Sequence, residues 1–212
     1  MTYVRMVMLM ILGLAVSACA SVETATRNAP LEPIPTEMRS ATPSFHLADF
    51  QVIVPEALQA SEANSYFPAG DIVWRGDAPG NRHAQVQAIF DNSIRLGLTD
   101  VDGALPVRVE IVVKRFHALT EKTRYTVGGI HNIVFDVTLR DPVSGAVIRG
   151  PVEIKANLEG YGGQQAIEAD AKGLTQKYRI TQHLARVLRE EMTLATGYIA
   201  PRGGITRRIT PI

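Results

Sequence analysis

The chain has 212 residues, with 22 basic and 21 acidic side chains and a formal net charge of +1 at pH 7. This balance argues against nucleic acid as a partner, because phosphate binding needs a basic surplus. Cys19 is the single cysteine, so no disulfide can form within the chain and the fold must rest on a hydrophobic core. The length suits one such core and one domain.

The N-terminal segment has the three parts of a signal peptide. Arg5 supplies the positive charge, Met6 to Val16 form an apolar run, and the small residues Ser17 and Ala18 precede Cys19. The apolar run has about eleven residues, whereas a membrane-spanning helix needs roughly twenty. We therefore expect a cleaved signal over residues 1–18 and no permanent transmembrane helix there.

The run Val16-Ser17-Ala18-Cys19 resembles the lipobox of bacterial lipoproteins. This resemblance implies that the thiol of Cys19 receives a diacylglycerol, that cleavage occurs before it, and that the new amino terminus is acylated, with palmitate among the chains. Ala20, rather than aspartate, follows Cys19; in lipoproteins of Gram-negative bacteria this implies the periplasmic face of the outer membrane rather than the inner membrane. The alternative is a chance cysteine beside an ordinary cleavage site.

Beyond the signal, three further segments are predicted. Residues 19–44 contain four prolines among Ser, Thr and Ala, which is typical of an extended tether. Residues 45–197 form a single domain. Residues 198–212 form a basic, flexible tail, which could contact lipid headgroups, cell-wall polymer or an acidic partner, or simply be solvated.

The first half of the domain predicts two strands and a helix. Phe45 to Val54 is a strand that Pro55 stops, and Asp71 to Arg75 is a short second strand in which Trp74 packs into the core. A helix over Arg82–Leu96 places apolar residues at helical spacing. Gly97, just past its end, is predicted to be a left-handed C-cap.

The second half predicts three strands and a second helix. Val107 to Lys114 alternates apolar and polar residues, as in an antiparallel sheet with one wet face. Ile130 to Arg140 and Ala146 to Leu158 form a hairpin in which Pro151 marks an edge or a bulge. The second helix covers Ala169–Ala195; its predicted apolar stripe is Leu174, Tyr178, Leu184, Leu188 and Met192, and its wet side is Arg186, Arg189, Glu190 and Glu191.

This order of elements predicts an α+β fold. We expect a two-layer sandwich with a mainly antiparallel sheet of three to five strands and two helices on one face. In outline the chain resembles the auxiliary lipoproteins of lipid-transport ABC systems. More narrowly, it resembles an uncharacterised lipoprotein family of marine alphaproteobacteria.

The sequence predicts no catalytic, cofactor-binding or metal-binding residues. The five histidines (His46, His83, His117, His131 and His183) lack partners at metal-ligand spacing and are interpreted as surface or partly buried side chains. Gly160-Tyr161-Gly162-Gly163 lacks the spacing of a nucleotide-binding turn. It is interpreted as a mobile connection, with a binding loop as the alternative. The loop from Ala118 to Gly129 is long for a hairpin and is either functional or mobile.

Three functions remain open at this point. The first is a non-enzymatic accessory lipoprotein that presents a protein-binding domain in the cell envelope, as part of a transport or envelope-assembly complex. The second is a lipid- or glycan-binding periplasmic module, which needs a concave pocket. The third is a hydrolase with a non-standard site.

Overall fold

The structure is a computed structural model that describes residues 44–201. Cys19, the predicted signal peptide, the tether as far as residue 43 and the tail from residue 202 lie outside the described residues. The described strands are β1 (Phe45–Ile53), β2 (Ile72–Val73), β3 (Leu105–His117), β4 (Gly129–Arg140), β5 (Val147–Lys155) and β6 (Leu158–Gly160). The described helices are α1 (Arg82–Leu98), α2 (Glu121–Arg124), α3 (Gln164–Ala171) and α4 (Gln176–Thr193).

The predicted α+β sandwich is confirmed, but the described range holds six strands rather than three to five, and four helices rather than two. The sheet order is β1-β3-β4-β5, with β2 extending the β1 side along β3 and β6 extending the β5 side along β4. β1 and β2 run parallel to β3, and the remaining pairs are antiparallel. The parallel pairing follows from the helix α1 between β1 and β3, because parallel neighbours need a long crossover connection.

The two long helices cover one face of the sheet. The inward side chains of β3 and β4 join those of α1 and α4 in one hydrophobic core. At its centre Phe90 meets Phe116 and Phe135 edge to face, with ring centroids 6.2 and 5.1 Å apart, and Trp74 meets Phe116 at 5.7 Å. The core position predicted for Trp74 is confirmed, since its side chain is fully buried.

The outer face of the sheet carries ion pairs. Arg108 pairs with Asp49, Arg140 pairs with Glu110, and Lys114 bridges carboxylates of β4 and β5. These pairs lie across adjacent strands, where opposite charges stabilise a sheet modestly. The prediction of one apolar and one polar face for β3 is therefore confirmed.

The predicted second helix is wrong in its bounds. The chain forms two helices, α3 and α4, and the break falls at Lys172 and Gly173, where Gly173 adopts a φ of +75°. The hydroxyl of Thr175 then accepts from the Tyr178 N–H and caps α4. A left-handed glycine followed by a threonine N-cap ends one helix and starts the next.

The predicted apolar stripe and the predicted solvent-exposed side of this helix need correction. Leu184, Leu188 and Met192 are buried, but Leu174 and Tyr178 are 40% and 48% exposed. Ile180 and Val187 complete the buried stripe. Glu191, predicted on the wet side, is only 3% exposed: its Oε1 lies 3.0 Å from Arg149 Nη2, and its Oε2 accepts from the Tyr198 N–H at 2.8 Å.

The third predicted strand is also divided in the structure. β5 and β6 replace the single span from Ala146 to Leu158, and both pair with β4. Pro151 lies in β5, whose one pairing partner among the described strands is β4, so its predicted edge position is confirmed.

Gly97 has a role other than the predicted C-cap. Helix α1 continues through Leu98, and Thr99 in the right-handed region follows it. A Cβ at Gly97 would collide with the carbonyl oxygen of Ala185 and lie 2.9 Å from its carbonyl carbon. The glycine therefore allows α1 and α4 to approach closely.

Gly97→Ala is expected to lower the free energy of unfolding by about 1–2 kcal/mol. The added methyl must push α4 backbone away, and overpacking of this kind costs about 1–3 kcal/mol. The better helix propensity of alanine offsets up to about 1 kcal/mol. Denaturant unfolding measures the change; Asn92→Ala, at an exposed position of the same helix, is the control and should not destabilise. A Gly97→Ala protein as stable as wild type would contradict the close packing.

Tyr198→Phe is expected to leave stability unchanged within about 0.5 kcal/mol, or to raise it slightly. The hydroxyl of Tyr198 is buried without a hydrogen-bond partner within residues 44–201, and a buried unsatisfied polar group carries a desolvation cost that phenylalanine removes. Thermal or denaturant unfolding measures this. A loss above about 1 kcal/mol would show that the hydroxyl has a bonded partner after all.

Candidate functional site

Different elements surround the two ends of the sheet, and each end is defined by the end of β3 that lies there. Its first residue, Leu105, pairs with Phe45, so the end where Ser44 leads into β1 is the near end. Its last residue, His117, lies at the far end, together with α2, the β6–α3 connection and the start of α4. β3 has 13 residues, so the two ends are separated by roughly 40 Å at about 3.3 Å per residue.

Close backbone packing builds the far end. Gly162 packs on the backbone of Val127 and Gly128, and a Cβ at Gly162 would collide with the Gly128 nitrogen. The N–H of Gly163 donates to the Arg124 carbonyl at 3.0 Å. The glycine-rich connection predicted to be mobile is thus held against the 118–129 loop, which itself contains the short helix α2.

Ion pairs tie the far end to the loop between β1 and α1. Glu62 receives two hydrogen bonds from the buried Arg82, at 2.6 and 2.8 Å, and Arg75 pairs with Glu121 of α2. Asp77 accepts from Lys177 at 2.8 Å and from the Trp74 indole N–H at 2.9 Å. These contacts fix α2 and the first turn of α4 relative to the core. The hydrogen bond from Arg82 is the main cause that holds the pKa of Glu62 below its ordinary value.

A small polar pocket lies between these segments. The volume open to the centre of a water molecule is about 10 Å³. This is enough for a single water. Side chains from the 118–129 loop, β4, the β6–α3 connection, α3, the α3–α4 connection and α4 line the pocket: Leu119, Arg124, His131, Tyr161, Ala166, Ala169, Leu174, Gln176 and Arg179.

His131 is the buried titratable group of this pocket. Its Nδ1 accepts a hydrogen bond from the Leu119 N–H at 3.2 Å, so the proton of the neutral ring sits on Nε2. Burial, with smaller effects from the nearby charges of Arg179 and Arg124, lowers the pKa of His131 to about 3. The ring is therefore neutral at physiological pH.

Gln176, the first residue of α4, lines the same pocket and bonds to the same residue, Leu119. Its Nε2 donates to the Leu119 carbonyl at 3.2 Å, and its Oε1 is buried without a hydrogen-bond partner among the described residues. Because the amide group is oriented by that donation, the unpaired atom is an acceptor. A buried acceptor without a partner is costly, so it marks a place where a ligand or a water molecule would bind.

Two guanidinium groups form the rim of the pocket. Arg124 pairs with Asp170 of α3, which also accepts from the Tyr125 hydroxyl at 3.2 Å. Arg179 lies over the Tyr161 ring, 3.5 Å from its centroid, and donates to the Glu159 carbonyl at 2.8 Å. Burial, with a smaller effect from Arg124, lowers the pKa of Arg179.

The other four histidines bond backbone carbonyls. His46, His83 and His117 lie 2.7–3.0 Å from the carbonyl oxygens of Gly103, Leu58 and Pro68. The buried His183 lies 3.2 Å from the Ala156 carbonyl oxygen. These four hold loops and strands in place. His131 and His183 are more buried than predicted.

The set of pocket residues is missing from the sequence prediction. The 118–129 loop and Gly160–Gly163 are singled out by sequence, but Gln176 and Arg179 are not, because they belong to a helix predicted with the wrong start. Within residues 44–201, no group of three or more His, Cys, Asp or Glu side chains is arranged to hold a metal ion. No helix in that range combines the length and apolarity needed to cross a bilayer.

A family model described as a family of unknown function (DUF6778) matches residues 45–208, well over half of the chain. The chain belongs to this family. The match begins at the first residue of β1, so the DUF6778 region contains the whole described domain and the far-end pocket. No curated protein matches the chain.

One solved structure similar to this DUF6778 member is a "putative lipoprotein" from Caulobacter crescentus CB15. The two chains are 14% identical; the match covers 69% of this chain and 88% of the other, with a TM-score of 0.32. A similarity at this level does not transfer the neighbour's description to this chain.

Proposed function

We propose that this protein is a non-enzymatic accessory lipoprotein of the cell envelope. The observation that carries the proposal is the run Val16-Ser17-Ala18-Cys19 directly behind a short apolar segment. Acylation of Cys19 would attach the chain to a bilayer: each buried methylene contributes about 0.8 kcal/mol, one chain holds only marginally, and two or more hold stably. Ala20 after the cysteine favours the outer membrane.

The far end is the surface we propose for a protein partner. The tether joins the domain at the near end, so the far end is the part of the domain farthest from the point of attachment. It exposes Phe67 and Val127, which are 96% and 73% exposed, and it also holds the polar pocket. Contacts of neighbouring residues hold the backbone around Phe67 in place. The Thr120 hydroxyl, for example, donates to the Ser65 carbonyl at 2.8 Å.

The packing of the core bears on the lipid-binding alternative. Trp74, Phe90, Phe116 and Phe135 are fully buried between sheet and helices, where Trp74 contacts Phe116 and Phe90 contacts both Phe116 and Phe135. An acyl chain would have to displace these rings, which occupy the layer where a lipid-binding fold keeps its cavity. The filled layer supports a role in binding protein rather than lipid.

Replacement of Cys19 tests the anchor. In cells that carry the lipoprotein-processing machinery, we expect the wild-type protein to fractionate with membranes and to leave them only with detergent. Cys19→Ala is expected to appear in the soluble fraction or as the uncleaved precursor. Signal cleavage with continued membrane association of Cys19→Ala would refute the lipid anchor.

A photo-crosslinking pair tests the presenting surface. Phe67 at the far end and Val143 at the near end are both apolar and almost fully exposed, at 96% and 95%, so each tolerates a photoreactive phenylalanine analogue. We expect an adduct with one envelope protein from position 67, lost when excess unmodified protein competes, and none from position 143. Equal adducts from both positions, or an adduct from 143 alone, would contradict the proposed surface.

A further inference from the structure

The backbone of Leu119 fixes the two polar groups of the far-end pocket. Its N–H donates to His131 Nδ1 and its carbonyl accepts from Gln176 Nε2, each at 3.2 Å. The first contact leaves the His131 proton on Nε2, and the second leaves the Gln176 Oε1 as an acceptor with no partner in the part of the chain that the structure describes. Among the side chains that line the pocket, these two contacts therefore fix one donor and one acceptor.

The pocket that both residues line has room for one oxygen atom. The volume of about 10 Å³ holds a single water-sized group. Gly160 lies beside the donor: a Cβ at this position would sit 2.9 Å from His131 Nε2. Glycine here leaves the imidazole N–H uncovered, which a larger residue would not.

The charges around the pocket are balanced. Arg124 is paired with the carboxylate of Asp170, and the carboxylate of Glu159 interacts favourably with Arg179. An anion would find no surplus positive charge and would face the Gln176 acceptor oxygen. A cation would face the His131 N–H and two guanidinium groups. A neutral group that accepts one hydrogen bond and donates another satisfies both fixed atoms.

We propose that His131 and Gln176 form a binding site for one neutral hydroxyl group. A water molecule occupies it in the free protein, and a hydroxyl of a neutral saccharide replaces that water. Arg124 and Arg179 at the rim offer guanidinium N–H donors to the remaining groups of the sugar. This site goes beyond the proposed accessory function and does not depend on acylation of Cys19.

The test is a nitrogen-15 NMR titration of the full mature chain in micelles of a detergent that carries neither sugar nor phosphate. The probes are N-acetylglucosamine and, separately, inorganic phosphate. We expect N-acetylglucosamine to shift the His131 ring nitrogens and the Gln176 side-chain amide in a saturable way, and phosphate to leave them unchanged. Gln176→Met should weaken the sugar affinity about tenfold or more, since a buried hydrogen bond is lost. Gln165→Met, at an exposed position of α3, should not weaken it.

A second experiment, which needs no variant, distinguishes water from a saccharide as the source of the hydroxyl. A high-resolution crystal structure of the free protein should show one oxygen within hydrogen-bond distance of His131 Nε2 and Gln176 Oε1. If that oxygen is present and the sugar has no effect, the hydroxyl site stands with water as its ligand, and the saccharide part is overturned. Phosphate bound at His131, or a pocket with neither water nor sugar response, would overturn the proposal as a whole.

Discussion

Arg149→Met is expected to lower the free energy of unfolding by about 3 kcal/mol. Arg149 of β5 is the charge partner of the buried Glu191 carboxylate, and it also donates to the Glu191 carbonyl at 2.6 Å. Removing one partner of a buried pair leaves an uncompensated charge, which costs about 3–5 kcal/mol. The lower value is expected here because the Arg149 side chain is itself 30% exposed.

The structure offers a matched control for this variant. Arg108 also pairs with a carboxylate, Asp49, but both side chains are at least 40% exposed. Surface pairs contribute about 0–1 kcal/mol, so Arg108→Met should change stability little. The double variant Arg149→Met/Glu191→Leu should be more stable than Arg149→Met alone, because no buried charge remains. Equal losses for Arg149→Met and Arg108→Met in denaturant unfolding would contradict the buried pair.

The second large effect expected is a loss of stability below neutral pH caused by His131. Its pKa is about 3 in the folded protein, against an ordinary value of about 6.5 in the unfolded chain. Between these values the unfolded chain binds more protons, so stability is complete above about pH 6.5 and falls as the pH decreases. The expected slope approaches roughly 1.4 kcal/mol per pH unit well inside this window.

The range from pH 6.5 to about 5 separates the histidine effect from that of carboxylates with a lowered pKa; Asp91, whose pKa burial raises, contributes with the opposite sign. Carboxylates whose pKa is held low, such as Glu62 and Asp77, lose their stabilising ionisation only at lower pH. His183, whose pKa is also lowered by burial, contributes with the same sign. His131→Gln keeps an acceptor for the Leu119 N–H without a titrating ring and should reduce the slope, with His183→Gln as the comparison. An unchanged slope in His131→Gln would mean that His131 is not the buried neutral group described above.

Local patterns predicted most of the fold. The alternation in β3 predicted its buried face, and Pro55 predicted the end of β1 to within two residues. The spacing of Val86, Ile89, Phe90 and Ile94 predicted the buried stripe of α1, and all four are fully buried. These features depend on residues close together in the chain, where period and turn chemistry are decisive.

The errors in the sequence prediction lie at positions whose surroundings are set by segments distant in the chain. Gly97 is the residue type typical of a C-cap, but the close approach of Ala185 from another helix gives it a packing role. Glu191 is a residue type typical of a solvent-exposed helix face, but Arg149 and the segment at Tyr198 cover it. The pocket depends on contacts such as Gln176 to Leu119, 57 residues apart, and no spacing in the sequence reveals them. Tertiary context overrides local preference at such positions.

The most direct test of the lipoprotein proposal is the mass of the mature N-terminal peptide, measured on protein purified from the envelope of a lipoprotein-processing host. The proposal predicts a chain that begins at Cys19, with a diacylglycerol on its thiol and an acyl group on its amino terminus, each released by the matching chemical cleavage. A mature chain that begins at another residue, or that begins at Cys19 with a free thiol, would contradict it.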